Sequence, residues 1–146
     1  MNFFTHLSNW IDQIEEKAFT TSNRIIFILL GTAITAFGIY ALYFYIFVGY
    51  KKEGSVSPSA VVIGMGITTI GLEYLILGFY KIKAFLFIMI STISFWFGVF
   101  GTTFDIQKLI DGKNIGVNSI LSHVVPYAVA ALFAYLAYTR RRIEKI

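Results

Sequence analysis

The sequence predicts an all-α integral membrane protein: an N-terminal interfacial amphipathic helix followed by a four-helix transmembrane bundle. Three observations carry this reading. Hydrophobic residues make up 57% and charged residues 14% of 146 positions, against roughly 45–50% and 25% in soluble domains. Mean hydropathy is +0.72. The apolar residues also gather in four runs, each near the roughly 20 residues that cross a bilayer. A soluble core of this length has no room for so much apolar surface, so lipid must cover part of it. The length suits one membrane domain at 23–146, preceded by the amphipathic helix at 1–22.

In the first segment Phe3, Phe4, Leu7, Trp10, Ile11, Ile14 and Ala18 recur at helical spacing. Asn9, Asp12, Gln13, Glu16 and Lys17 fill the other side. A helix with Phe and Trp on its apolar face, next to a span, lies in the membrane interface. Its polar face is acidic, so anionic lipid does not hold it there. It reads as a surface anchor or as a docking face for a partner subunit. Asp12, Glu15 and Glu16 interrupt any continuous apolar core, so the segment does not read as a signal peptide.

The four spans are placed at 25–49, 60–80, 84–104 and 119–139. Thr21, Ser22 and Asn23 are capping-type residues before the first span. Ser57 and Pro58 open the second as N-cap and first helical residue. The short link 81–83 makes the second and third spans antiparallel neighbours. The connection 105–118 contains Ile106, Leu109 and Ile110, expected partly on the membrane, and the turn signal Asp111-Gly112-Lys113-Asn114.

Orientation follows from Lys and Arg. Lys17, Arg24, Lys81, Lys83, Arg140, Arg141, Arg142 and Lys145 lie on the side of the termini, and Lys51, Lys52, Lys108 and Lys113 on the other. Both termini are therefore expected in the cytoplasm, with the protein multi-pass in the cell (inner) membrane. The net charge of +4 sits at helix ends rather than along one face. That argues against nucleic acid and for lipid headgroups as partner.

A tandem repeat is visible at an offset of sixty: Phe27, Ile28, Thr32, Phe37 and Gly38 match Phe87, Ile88, Thr92, Phe97 and Gly98. At sixty-one, Tyr74, Leu75 and Ile82 match Tyr135, Leu136 and Ile143. Two helical hairpins related by an axis along the membrane normal would give this pattern.

Small residues mark close helix contacts. They are Gly31 and Gly38 in the first span and Gly64, Gly71 and Gly78, seven apart, in the second. The aromatic stripe Tyr40, Phe44 and Phe47 reads as an interfacial belt, with a ligand pocket as the sharper alternative.

Glu73 is the most informative residue. A carboxylate inside a span costs of order 2.5–3.5 kcal/mol on the insertion scale, so it must face other helices, find hydrogen-bond partners or take up a proton. With a rise of about 1.5 Å per residue it lies roughly 5 Å from the midplane, on the side of the termini. Thr32 and Thr35 fall near that level, as do Ser91, Thr92 and Ser94, with Thr69 one turn away. This layer is either structural, holding helices together through hydroxyls, or an ion or proton site on a transport path. His123 lies well over 10 Å deeper toward the other surface, and reads as a polar group satisfied by water or a neighbouring helix. Pro126 removes one backbone hydrogen bond and is expected to kink the last helix.

The chain has no cysteine, which removes disulfides, thiolate metal sites and cysteine nucleophiles. GMGITTIG has the wrong spacing for a phosphate loop, and no metal-ligand cluster or nucleophile–base pair appears. No enzyme activity, cofactor or metal is expected. Two function classes remain. One is a small oligomeric channel or transporter using Glu73 and the hydroxyl layer. The other is a non-catalytic accessory, immunity or defence-system membrane subunit of a larger complex. Four spans with one intramembrane carboxylate superficially resemble small multidrug-resistance transporters. Their glutamate lies in the first helix, whereas Glu73 is in the second, so the resemblance transfers no residue's role. A homo-oligomer or a membrane protein partner is expected.

Overall fold

A computed structural model describes residues 3–82 and 84–143. Lys83 and Lys145 of the charge count lie outside the described residues, as do the side chains of Phe4, Arg141 and Arg142. The elements are α1 (Phe3–Ala18), α2 (Thr21–Glu53), α3 (Pro58–Phe79), α4 (Phe85–Ile110) and α5 (Val117–Ile143), with no strand among the described residues. Helices α2 to α5 are each long and apolar enough to cross a membrane.

Two helices are longer than the hydropathy runs suggest. Helix α2 starts at Thr21, so Thr21 and Ser22 belong to it and not to the amphipathic segment. It winds through a π-helical stretch at Phe44–Val48 and ends at Gly54, whose φ of 69° lets its N–H return to the Tyr50 carbonyl at 2.9 Å. Helix α4 runs past Phe104 to Ile110. Gly112, with φ 71°, turns the chain, and Lys113 N–H closes on the Lys108 carbonyl at 2.9 Å. Ile106, Leu109 and Ile110 are thus helical residues rather than a loop laid on the surface. Charged residues at a helix end lower hydropathy without breaking the helix, which is why the apolar runs stop short.

The helices form two antiparallel hairpins, α2 with α3 and α4 with α5, joined where α3 meets α4. Among the described residues α2 and α5 do not pack along one another, so the four helices stand in a row and not in a closed bundle. Leu29, Phe37, Phe97 and Leu132 are each more than half exposed. Helices apolar on every side suit an environment of lipid.

Glycines set the first hairpin. A Cβ on Gly31 would lie 2.6 Å from the Leu75 backbone N, and one on Gly38 would lie 2.7 Å from Thr68 N. Arg24 of α2 secures the far end of α3, where Nε donates to the Gly78 carbonyl at 3.0 Å and Nη2 to Phe79 at 2.7 Å. A guanidinium on orphan carbonyls at a helix C-terminus satisfies them and complements the helix dipole. In the second hairpin Ser91 Oγ donates to the Ala130 carbonyl at 2.8 Å, and Gly98 faces the Tyr127 ring. Gly31 and Ser91, and likewise Gly38 and Gly98, are sixty apart and each faces the partner helix of its own hairpin. The two hairpins are joined through a turn that holds fully buried Ala84 at φ 62°, a left-handed conformation costly for a residue with a Cβ.

Helix α1 turns Ile11 inward and leaves Phe3 and Trp10 exposed. Its acidic face is engaged within the chain: Arg140 at the end of α5 pairs with Asp12, approaches Glu15 Oε2 at 3.6 Å, and lies over the Phe87 ring at 5.8 Å. Arg140 and Glu15 are largely buried. Arg140→Gln removes the cation from a buried carboxylate and is expected to lower stability by about 1–3 kcal/mol. Melting in detergent checks this, and faster amide exchange confined to α1 would locate the loss.

Candidate functional site

Glu73 sits on the face of α3 that meets α4, roughly opposite Gly71, which faces α2. Thr92 Oγ1 of α4 donates a hydrogen bond to Glu73 Oε1. The other oxygen, Oε2, is buried and has no protein partner. Glu73 also lines a cavity of about 230 Å³ with Ile76, Leu77, Ile82, Phe85, Ile88 and Met89. One carboxyl oxygen is thus anchored, and the other is buried without a hydrogen-bond partner.

The hydroxyl layer is more dispersed than depth alone suggests. Thr92 is the member that reaches Glu73. Ser91, next to it and therefore about 100° around the helix, turns to α5 and bonds the Ala130 carbonyl. Thr32 and Thr69 donate to the carbonyls of Ile28 and Met65 one turn back, at 2.8 and 2.9 Å. Thr35 faces Gly71 across the α2–α3 contact, with its hydroxyl buried and without a hydrogen-bond partner. Ser94 is half-buried and lines neither this cavity nor the larger one. Shared depth is a weaker condition than shared direction, and a row of helices gives each hydroxyl fewer neighbours than a closed bundle would.

A second, open-sided cavity of about 510 Å³ runs between α3, α4 and α5. Thr69, Ser91, Thr92 and Tyr127 give it hydroxyls, and Phe95, Trp96 and alanines of α5 complete it. Thr92 therefore lines the larger cavity while bonding the carboxylate of the smaller one.

Further toward the end bearing the 111–116 loop lies a cluster that hydropathy hid. Asp105 is 5% exposed. Its Oδ1 accepts from Ser119 Oγ at 2.7 Å and lies 3.9 Å from Lys108 Nζ. Its Oδ2 lies 3.2 Å from His123 Nδ1, at ion-pair distance but outside hydrogen-bond alignment. The neighbouring helix that His123 was expected to find is thus α4, and the group is Asp105. Gly98, Gly101 and Thr102 continue the α4 face toward α5, so a helical period carried past residue 104 would have placed Asp105 against α5. Here the carboxylate bonds the serine hydroxyl directly, whereas an activated serine needs its hydroxyl on the imidazole. Among the described residues no three His, Cys, Asp or Glu side chains gather where they would hold a metal ion.

No family model, curated protein or solved structure matches this chain.

Proposed function

We propose that this chain is a small ion-translocating membrane protein, a channel or transporter, with Glu73 as its ion- or proton-binding group. The observation that carries this is the carboxyl of Glu73, anchored on Thr92 through one oxygen while the other is buried, unpartnered and beside a cavity. A group that only held helices together would be better satisfied with both oxygens bonded. Cavities lie on both sides of the Glu73–Thr92 pair, one toward Ile82 and Phe85 and the other toward Phe95 and Tyr127. A homo-oligomer would cover the flanks that the row of helices leaves to lipid.

In this reading both termini are cytoplasmic. Cysteine introduced at Ser55 or Asn114 is expected to label from outside intact cells, and cysteine at Ser22 is not. Reversed labelling would invert the direction of the path.

The alternative is a non-catalytic accessory, immunity or defence subunit. It is favoured by the exposed Phe3 and Trp10 of α1, which together with the open flanks would suit a protein partner. Purified protein in sealed vesicles separates the two readings. Wild type is expected to dissipate a proton or monovalent cation gradient, and a tight vesicle would leave the accessory reading standing.

A further inference from the structure

A polar file runs along the α4–α5 contact from Asp105 to Thr92, and nothing in the role of Glu73 alone requires it. At its outer end Asp105 meets His123 and Ser119. Thr102 lies three residues before Asp105 on α4, and Tyr127 lies four after His123 on α5, each on the same helix face as its predecessor. Thr102 Oγ1 and Tyr127 O–H are 3.0 Å apart. The single hydroxyl proton of Thr102 goes to the Gly98 carbonyl at 2.9 Å, so Tyr127 donates and Thr102 accepts. Tyr127 then opens into the larger cavity, whose far hydroxyls are Ser91 and Thr92, and Thr92 holds Glu73. Asp105 and Thr92 are thirteen positions apart on α4, about 20 Å at the rise of an α-helix.

We propose that Asp105 and His123 form a second proton station in series with Glu73, and that the ion moved is the proton. The proposal rests on reading Glu73 as a translocation site. The groups in the file are carboxyl, imidazole, phenol and alcohol, each of which accepts one proton while giving up another. A dehydrated metal cation needs about six oxygens converging on one point, and the side chains of the file bring together no more than three at its ends, at Asp105–Ser119 and at Glu73–Thr92. The large cavity has the volume and the polar partners to hold waters that join Tyr127 to Thr92. The balance is simple: a proton taken up at Asp105–His123 displaces one along the file to Glu73, a proton leaves Glu73 on the opposite side, and each hydroxyl ends with the hydrogen count it began with. No electron moves.

The test uses the full chain in vesicles loaded with a pH-sensitive dye, with separate sodium and potassium gradients. Wild type is expected to pass protons and neither metal ion. Tyr127→Phe keeps the ring against Gly98 and removes only the hydroxyl, so it is the decisive variant. It and Asp105→Asn are expected to slow proton flux by on the order of tenfold or more, with elution and melting close to wild type. Where Asp105→Asn fails to fold, Tyr127→Phe decides alone. Flux within about twofold of wild type in folded Tyr127→Phe, together with loss of flux in Glu73→Gln, would overturn the series path and leave Glu73 as the site. Sodium or potassium flux without proton flux would overturn the choice of ion. No flux of any ion would remove the translocation reading and this proposal with it.

Discussion

Glu73→Gln is expected to abolish gradient-driven flux while leaving the fold intact. Glutamine keeps the length and shape of glutamate, and its Oε1 still accepts from Thr92. Its amide nitrogen then occupies the position of Oε2, which is buried and has no protein partner. That amide neither binds nor releases a proton and carries no negative charge for a cation. The substitution therefore removes the chemistry and retains the packing. If Glu73 served only to hold α3 against α4, the same variant would be silent in every assay, because the bond to Thr92 survives.

Glu73→Ala separates structure from chemistry in the other direction. It leaves Thr92 without its partner on α3. A threonine in a helix has a ready alternative in the carbonyl one turn back, as Thr32 and Thr69 already show. The expected loss of stability is therefore modest, about 1 kcal/mol, although flux disappears as fully as in Glu73→Gln. Flux in Glu73→Gln equal to that of wild type would move the site elsewhere in the molecule.

The legible part of this protein is the part that hydrophobicity controls. Four helices long and apolar enough to cross a membrane, the amphipathic α1 and the Ser57–Pro58 start of α3 all follow from composition and period, since apolar surface and fixed backbone φ act locally. The helix ends were less legible. Asp105 and Lys108 lower hydropathy at the end of α4, yet the helix continues until Gly112 turns it, and the Asp105–His123 cluster was hidden with it. The candidate site is legible to the level of depth: Glu73 stands out as a carboxylate inside an apolar run, and Thr92 lies in its layer. Which hydroxyl of that layer faces Glu73 depends on how α4 is rotated. That rotation is set by contacts such as Gly98 on Tyr127 and Gly101 on His123, which belong to pairs of helices and not to any single one. The same limit explains the row of helices: each helix is apolar all round, so its pattern does not say which side meets protein and which meets lipid.

Gly71→Leu is expected to destabilise the first hairpin more than any other single substitution at its glycines. A Cβ on Gly71 would stand 2.5 Å from the backbone N of Thr35 and 2.9 Å from its Cα. Both are main-chain atoms in the middle of α2, so no rotamer change makes room and the two helices must separate. Separation is not local. Gly31 against Leu75 N, Gly38 against Thr68 N and Gly78 against the Arg24 carbonyl depend on the same close approach, and so do the bonds from Arg24 to the last carbonyls of α3. Between helices in lipid, van der Waals packing supplies most of the attraction, and a gap of even 0.5–1 Å forfeits roughly a quarter to a half of each contact. The expected cost is about 3 kcal/mol or more, at or above the upper end for overpacking. Alanine substitutions grade the effect by what the new methyl meets. Gly71→Ala strikes backbone and is expected to cost most. Gly64→Ala meets chiefly the flexible end of Leu42, at 2.8 Å from Cδ2, and is expected to cost less. Gly116→Ala has nothing within 4 Å and is expected to be neutral. Thermal or denaturant melting of the four variants in one detergent measures the order. A Gly71→Leu protein that melts with wild type would mean that α2 and α3 do not meet along this stripe, and the hairpin would have to be rebuilt on another face.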